Sequence, residues 1–441
     1  MSTKIFDRVY VINLEHRQER LKSFFESLPV DWPFQYPERR EAVAGDRSPP
    51  PRWWKGGNGA WGCYRTHLGI IEECLNQDIG SVLIFEDDAI CVKNFHEKVE
   101  QFFAHIPEDW EMVYLGGQHI QQNQRLPRKL NEWVYRPFNV NRSHCYGIRG
   151  RKMLELVYRH LNDFRNWNVP HHIDHYLGEL HKDMETGLYV PREWLVAQSE
   201  GTSDISSNPQ EYRLFCGAEE LIYPKIDQTG IAILGDWFGG INMISGVLFS
   251  LGLHSGADEK QQSSSNTPFL FEDNRLNELC HQSYDKQWLN EKLPYEDRVN
   301  HLRHWAGIQC QNQNKNGYFY GNHPILSLMG RELQEAWQNS LFLVIDCPQN
   351  ISMQIMTQSK FRWNPDTFER ALAILRQSRN YFLSSYQPRH LDISYHELKT
   401  QPKITIETIC DFLRINPTSE EYRNAVDLIR ESPDNSVIFL P

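Results

Sequence analysis

The chain has 441 residues, of which 40% are apolar and 23% charged, and its formal net charge is −11. That length exceeds one ordinary core and predicts two or three domains, while the composition excludes an intrinsically disordered chain. The acidic balance excludes a nucleic-acid or anionic-membrane binder built on clustered Lys and Arg.

Residues 1–8 lead straight into Val9-Tyr10-Val11-Ile12, a stretch too short and too strand-like for a secretory leader. The reading is a first buried strand over 9–14. Residues 15–20 then open a helix with apolar positions at Leu21, Phe24, Phe25 and Leu28. Strand, polar turn and helix in that order form the nucleotide-binding arrangement of an open α/β sheet. Arg17 and Arg20 lie one turn apart, suited either to a diphosphate or to a solvated helix face. Residues 29–58, rich in Pro, Trp, Gly and Arg, read as a long loop of the kind that is often functional. A helix starting near Asn58 runs through Leu68, Ile71, Cys74 and Leu75, and its glycines permit close backbone approach. His67, taken alone, reads as a satisfied core histidine.

Residues 81–89, Ser-Val-Leu-Ile-Phe-Glu-Asp-Asp-Ala, are the most informative stretch. The apolar run 82–85 follows Gly80 and predicts a buried strand of a parallel sheet. Three adjacent carboxylates, Glu86, Asp87 and Asp88, close it. Their mutual repulsion is relieved either by solvent at an acidic turn or helix start, or by a divalent metal that holds a sugar-nucleotide diphosphate. Downstream, 95–106 is an amphipathic helix, 112–117 and 144–148 are strands, and a helix follows near 150–161. The alternation argues for an α/β domain. His171, His172 and His175 surround Asp174 but lack zinc-pair spacing and a completing ligand. Asp174 opens an apolar segment, as a general base or as an N-cap. Residues 195–205 read as a strand and a polar loop.

In family order, these pieces are Val11-Ile12-Asn13-Leu14 with Arg17 and Arg20; Gly62-Cys63 with His67; the 82–88 strand; His144-Cys145-Tyr146; Ile173-Asp174; and the tail from Gln198 to Ile205. Together they resemble glycosyltransferase family 25, the bacterial lipooligosaccharide and animal procollagen galactosyltransferases, over about residues 5–210. The resemblance implies a GT-A-type fold, a UDP-sugar donor, Mn²⁺ and an inverting transfer of a hexose, galactose being the expected one. It makes Glu86, Asp87 and Asp88 the acidic metal motif. Asn13, Arg17, Arg20, His67 and Asp87 are expected near the nucleotide, and Asp174, with Asp88, in the catalytic set. Two features depart from the family. Thr66 precedes His67 where Ser is usual, and His171, His172 and His175 have no family counterpart.

Composition shifts near 206–230. A strand, a Gly-rich turn and a helix then run from 231 to 252, the outline of a phosphate-binding loop without the Gly-Lys-Ser/Thr of a nucleoside triphosphatase. The mostly apolar stretch 231–253 is broken by Asp236, Asn242 and five glycines and does not read as a membrane span. The loop, with residues 274–279, 323–326, 342–348 and 393–398, resembles the sulfotransferase-like family. Phe238 and Ile241 replace its Arg and Thr, and Asp346 replaces the Arg that holds the donor's 3′-phosphate. Asp repels a phosphate and Phe donates no hydrogen bond, so this half is expected to be non-catalytic. The polar stretch 257–268 reads as a mobile loop.

The expected organisation is therefore an α/β chain. A GT-A-type glycosyltransferase domain covers 1–215, a linker 216–228, and a P-loop sulfotransferase-like domain 229–441. That second domain is expected to bind acceptor or partner, or to form a homodimer. Acceptor classes left open are a glycan, a lipid-linked glycan, a hydroxylated peptide and a small metabolite. The alternatives are a bifunctional glycosyltransferase/sulfotransferase, disfavoured by Phe238 and Asp346, and a non-catalytic glycan-binding protein, disfavoured by the intact acids at 86–88. Nine scattered cysteines, an odd number without a CxxC pair, fit reduced thiols in the cytoplasm. Membrane contact, if any, is expected to be peripheral, at the inner face.

Overall fold

The computed structural model describes residues 5–163, 170–202, 205, 209–253, 273–285, 288–311, 317–358 and 363–431. Ser203, Asp204, residues 206–208 and the stretch 257–268 lie outside these. The chain divides into two compact units, Met1–Leu221 and Ile222–Pro441. All nine cysteines are free thiols. Among the described residues no helix is long and apolar enough to cross a membrane.

The first unit opens with β1 (Arg8–Asn13), α1 (Gln18–Ser27), β2 (Glu38–Glu41), α2 (Gly57–Asn76), β3 (Ser81–Glu86), β4 (Ala89–Cys91) and α3 (Phe95–His105). It continues with β5 (Met112–His119), β6 (Arg128–Lys129), β7 (Val134–Arg136), β8 (Val140–Arg149), α4 (Arg151–Asn162) and α5 (Ile173–Asp183). The last elements are β9 (Leu188–Pro191), β10 (Val196–Gln198), β11 (Gly201–Thr202), β12 (Pro209–Gln210) and α6 (Ala218–Ile222). Eight strands form one sheet in the order β2-β1-β3-β8-β5-β9-β7-β6.

Three expectations are corrected here. β3 lies in a mixed sheet, parallel to β1 but antiparallel to β8. It ends at Glu86, because Asp87 and Asp88 turn the chain into β4, which leaves to pair with β10. The loop 29–58 contains β2, an edge strand of four charged residues beside β1; its lack of apolar alternation hid it. Alternation holds where burial is two-sided. Val9, Val11, Leu83 and Phe85 face one core with Phe24, Phe95 and Phe102, and Val82 and Ile84 are buried on the other face.

One close approach sets the start of α2. A Cβ on Gly62 would lie 2.3 Å from the Val43 carbonyl oxygen, and one on Gly45 would lie 1.8 Å from that of Asn58. Thr66 fastens the same crossing: its hydroxyl donates to the Gly62 carbonyl and accepts from the Val43 amide, both at 2.8 Å. The Ser-to-Thr departure therefore keeps the hydroxyl that the packing uses.

The second unit runs β13 (Thr229–Leu234), α7 (Ile241–Ser250), α8 (Asn274–Ser283), α9 (Tyr295–Gln311), β14 (Tyr318–Asn322), α10 (Gly330–Ala336), β15 (Ser340–Asp346), α11 (Gln349–Gln358) and α12 (Pro365–Tyr386). β16 (His390–Ser394), α13 (Tyr395–Thr400), α14 (Pro402–Leu413) and α15 (Ser419–Glu431) complete it. Its sheet is all parallel, in the order β14-β13-β15-β16. Ala232 and Leu234 face a core with α8, α9 and α12. Ile231 and Ile233 face the opposite core with α7, α14 and α15. Two-sided burial of alternate residues is the mark of a doubly wound α/β layer.

In such a layer a ligand sits beyond the strand ends where strand order reverses, here between β13 and β15. That place is occupied by the protein itself. Asp236 is buried and its Oδ2 accepts from Arg376 Nε at 2.7 Å, while Arg376 also donates to the Cys347 carbonyl at 2.7 Å. Phe238, at φ +61°, is buried against Phe368, and Ile241 is buried in the opposite core. Asp346 is exposed and pairs with Arg379 at 3.5 Å.

Gly62→Ala tests the α2 crossing. Helix propensity alone predicts a gain of about 1 kcal/mol. A methyl forced against a backbone carbonyl costs about 1–3 kcal/mol, and the expected net result is a lower urea midpoint. A raised midpoint would mean that the crossing is looser than described.

Candidate functional site

The site grows from strand register. β1 and β3 pair in parallel with Ile12 against Glu86. The next residues, Asn13 and Asp87, therefore leave the same edge together, and Asn13 Nδ2 donates to Asp87 Oδ2 at 2.8 Å. The same amide donates to the Arg17 carbonyl at 2.8 Å, and its oxygen accepts from Arg39 Nε at 3.1 Å. Asn13 is fully buried, so these bonds fix its orientation. From the first turn of α1, Arg20 reaches Asp87 at 3.0 Å and Asp88 at 3.4 Å. Gln198 Nε2 donates to Asp88 Oδ2 at 3.4 Å, and the Ser199 amide donates to the Asp88 carbonyl at 2.7 Å.

Glu86 faces the other way. Phe85 pairs with Cys145 on antiparallel β8, which brings Ser143 two residues earlier onto the Glu86 carboxylate; its hydroxyl donates at 2.6 Å. His67, from α2, sits fully buried with Nε2 at 3.5 Å from Glu86 Oε1 and Nδ1 at 2.9 Å from the Tyr146 hydroxyl. Cys63, one turn before His67, completes a group whose ligand atoms lie within 4.8 Å of one another.

The charges are unequal. Burial acts to raise the Glu86 pKa, but His67 and Ser143 hold it down to about 2. Asp88 is pushed up to about 7 by burial first and then by Glu86, against the pull of Arg20. Asp88 Oδ1 is buried and has no hydrogen-bond partner. An orphaned carboxylate oxygen beside a second carboxylate suits a hard cation.

Asp174 lies in the first turn of α5, after the N-cap residue His172, so the N-cap alternative is corrected. Its Oδ2 accepts from the Arg142 amide at 3.2 Å and its Oδ1 from the His175 amide at 3.0 Å. Its charge acts on Cys63 together with those of Glu86 and Asp88. Arg142 adopts φ +78° within β8, where the β5 pairing slips register, and its guanidinium lies over Phe215. Non-glycine residues held at positive φ cluster at functional sites.

The structure thus gathers Asn13, Arg20, Glu86, Asp87 and Asp88, with His67 beneath Glu86. Arg17 contributes its carbonyl to Asn13, while its side chain lies 3.5 Å from Glu19. His171 accepts from the Lys55 amide at 2.8 Å and packs on Trp53 and Trp54, a latch for the preceding loop. Arg39, Ser143, Tyr146, Gln198 and Arg142 were not singled out as site residues. Arg39, Ser143 and Tyr146 depend on which strands lie beside β1 and β3, Arg142 on the register slip between β5 and β8, and Gln198 on the pairing of β10 with β4, so local spacing carried no signal for their roles.

Residues 57–162 match the model of the family described as glycosyltransferase family 25 (LPS biosynthesis protein). The matched stretch lies within the first unit, and the family is the one that the ordered motifs resembled. The chain is 28% identical over 136 residues to a bovine protein named probable inactive glycosyltransferase 25 family member 3; the match covers 26% of this chain and 22% of that one. It is 26% identical over 134 residues to Xenopus laevis procollagen galactosyltransferase 1-A, with the same coverages, and 24% identical over 134 residues to human procollagen galactosyltransferase 2, covering 26% and 21%. The match spans about a fifth of the length of these relatives. Among solved structures, the sulfotransferase domain of the Synechococcus PCC 7002 olefin synthase superposes with a TM-score of 0.29 at 14% identity, covering 48% of this chain and 80% of that one. The sulfotransferase domain from the curacin biosynthetic pathway does so at 0.29 and 16%, covering 46% and 78%. Superpositions at that level define neither fold nor function.

The raised Asp88 pKa gives a pH prediction. Its stabilising contribution is full below the unfolded value of 3.8 and is lost as pH rises through about 7. Glu86 has the opposite sign, and its contribution is lost only as pH falls through about 2. In chelator, Asp88→Asn should be more stable to unfolding than the native protein at pH 8, by on the order of 2 kcal/mol. The gap should narrow toward pH 5. A gap independent of pH would contradict this electrostatic account.

Proposed function

We propose that the first unit transfers a hexose, galactose being the first candidate, from a UDP-sugar to an acceptor hydroxyl, with inversion. The observation that carries this reading is the acidic turn: three intact, half-buried carboxylates at a strand end, with the buried Asp88 Oδ1 left without a partner. The family 25 domain and galactosyltransferase relatives support the class. Some relatives are named inactive, and the intact turn is the reason to read this chain as active.

The residues present fit a divalent metal such as Mn²⁺. Asp88 and Glu86 would hold it, with Asp87 beside them; the chemistry supplied there is neutralisation of charge on the leaving diphosphate. Arg20 keeps Asp87 and Asp88 in place and adds positive charge at the same edge. Asn13 fixes the Asp87 rotamer. Asp174 is the base in this reading: it takes the acceptor hydroxyl's proton on the face opposite UDP. Two backbone amides hold its carboxylate ready in one orientation. The second unit is read as non-catalytic, because Asp236 and Arg376 occupy its strand-end crevice. Its proposed role is binding the acceptor or a partner.

Calorimetric titration of UDP-galactose with and without Mn²⁺ tests the donor. Metal-dependent binding lost in Asp88→Ala is expected. Failure of UDP-galactose and of a UDP-sugar panel would favour a glycan-binding protein instead. Asp174→Asn should keep UDP-galactose affinity within about twofold while transfer falls about 10²–10⁴-fold. Loss of donor affinity in Asp174→Asn would instead place that carboxylate on the donor side.

A further inference from the structure

Cys63 and His67 are four residues apart on α2, so their side chains share one face of the helix. Glu86 meets that face from the end of β3. His67 is fully buried, yet its Nε2 makes no hydrogen bond. Its nearest acidic atom is Glu86 Oε1 at 3.5 Å, the spacing that two ligands take around a tetrahedral ion with bonds of about 2.0–2.3 Å. Cys63 Sγ lies within 4.8 Å of both.

We propose that Cys63, His67 and Glu86 form a thiolate–imidazole–carboxylate site for a divalent cation of the zinc class. The site uses neither Asp87 nor Asp88 but shares Glu86 with the acidic turn, and it stands whether or not the unit transfers a sugar.

The surroundings match what such a ligand set needs. A ligating histidine is oriented by a partner on its other ring nitrogen, and the Tyr146 hydroxyl sits 2.9 Å from His67 Nδ1. That contact presents the Nε2 lone pair when Nδ1 carries the proton. Ser143 holds the carboxylate at 2.6 Å. Cys63 is half-buried as a residue, while burial and the Glu86 charge push its thiol well above the usual range. Binding forms a metal–sulfur bond and releases the thiol proton to solvent. Three protein ligands leave the fourth position to water. The softer donors separate this site from the all-oxygen turn, since thiolate and imidazole select zinc-like ions and carboxylates alone suit Mn²⁺ and Mg²⁺. Because Glu86 belongs to both, zinc held here draws on an oxygen that the acidic turn also uses.

The test is titration of the metal-free full chain with Co²⁺ alone, followed by optical absorption. A thiolate-to-cobalt charge-transfer band with intense visible bands is expected, reversed by Zn²⁺. Cys63→Ser should abolish the charge-transfer band, and Tyr146→Phe should weaken Co²⁺ binding about 10-fold or more. Asp88→Asn and Cys410→Ser, a buried thiol of the second unit, should retain it. No charge-transfer band in the native chain, or a band that survives Cys63→Ser, overturns the proposal. Loss of the band in a folded Asp88→Asn protein overturns the separation of the two sites.

Discussion

The first unit depends on how three adjacent carboxylates are held at the end of a fully buried strand. Removing a carboxylate from water costs several kcal/mol unless charge and hydrogen bonds replace the lost hydration. The chain distributes that replacement over separate elements. Arg20 comes from α1, Asn13 from β1, His67 from α2, Ser143 from β8 and Gln198 from β10. The three side chains are also divided by direction. Asp87 turns to Asn13 and Arg20, Glu86 turns to His67 and Ser143, and Asp88 keeps one oxygen without a partner. The neutralisation is incomplete at one atom, Asp88 Oδ1.

The second unit handles a similar problem the other way. Asp236 stands in the strand-end turn of a doubly wound layer, and burial raises its pKa. Arg376 answers it at 2.7 Å and also ties down the Cys347 carbonyl. One carboxylate and one guanidinium form a local pair, so less charge is left over for a diphosphate. Phe238 and Ile241, turned into the cores, add no hydrogen-bonding group to that turn. The contrast between the units lies in whether buried charge is closed off internally or left in excess.

Much of this was legible locally, because apolar runs and adjacent acids are local features. The strands at β1, β3, β5, β8 and β13, the helices beginning near 57 and 95, and the acidic turn all announce themselves within ten residues. Arg20 was offered by its one-turn spacing from Arg17 and the resemblance to family 25 added Asn13; the structure brings both to Asp87. What was missed depends on pairing. β2 is an edge strand paired with β1, and its sequence, Glu-Arg-Arg-Glu, has no strand period. Ser143 and Tyr146 reach Glu86 and His67 only because β8 runs antiparallel to β3, a direction that no spacing in the chain encodes. Arg142 needed the register slip between β5 and β8, and bulges of that kind are set by tertiary contacts.

The asymmetry between Glu86 and Asp88 ties these observations together. Glu86 is held ionised by His67 and Ser143, and its charge is one reason that Asp88 binds its proton more tightly. A positive charge arriving beside Asp88 reverses that effect and releases the proton, so occupancy and ionisation of the turn are linked. Glu86 is also the hinge between two kinds of donor. Toward Asp87 and Asp88 it borders oxygen alone; toward α2 it borders sulfur and imidazole. A hard cation and a soft one would therefore bid for the same carboxylate from opposite sides. The choice rests on donor softness, since raw affinity for divalent ions follows a common order at any one ligand set.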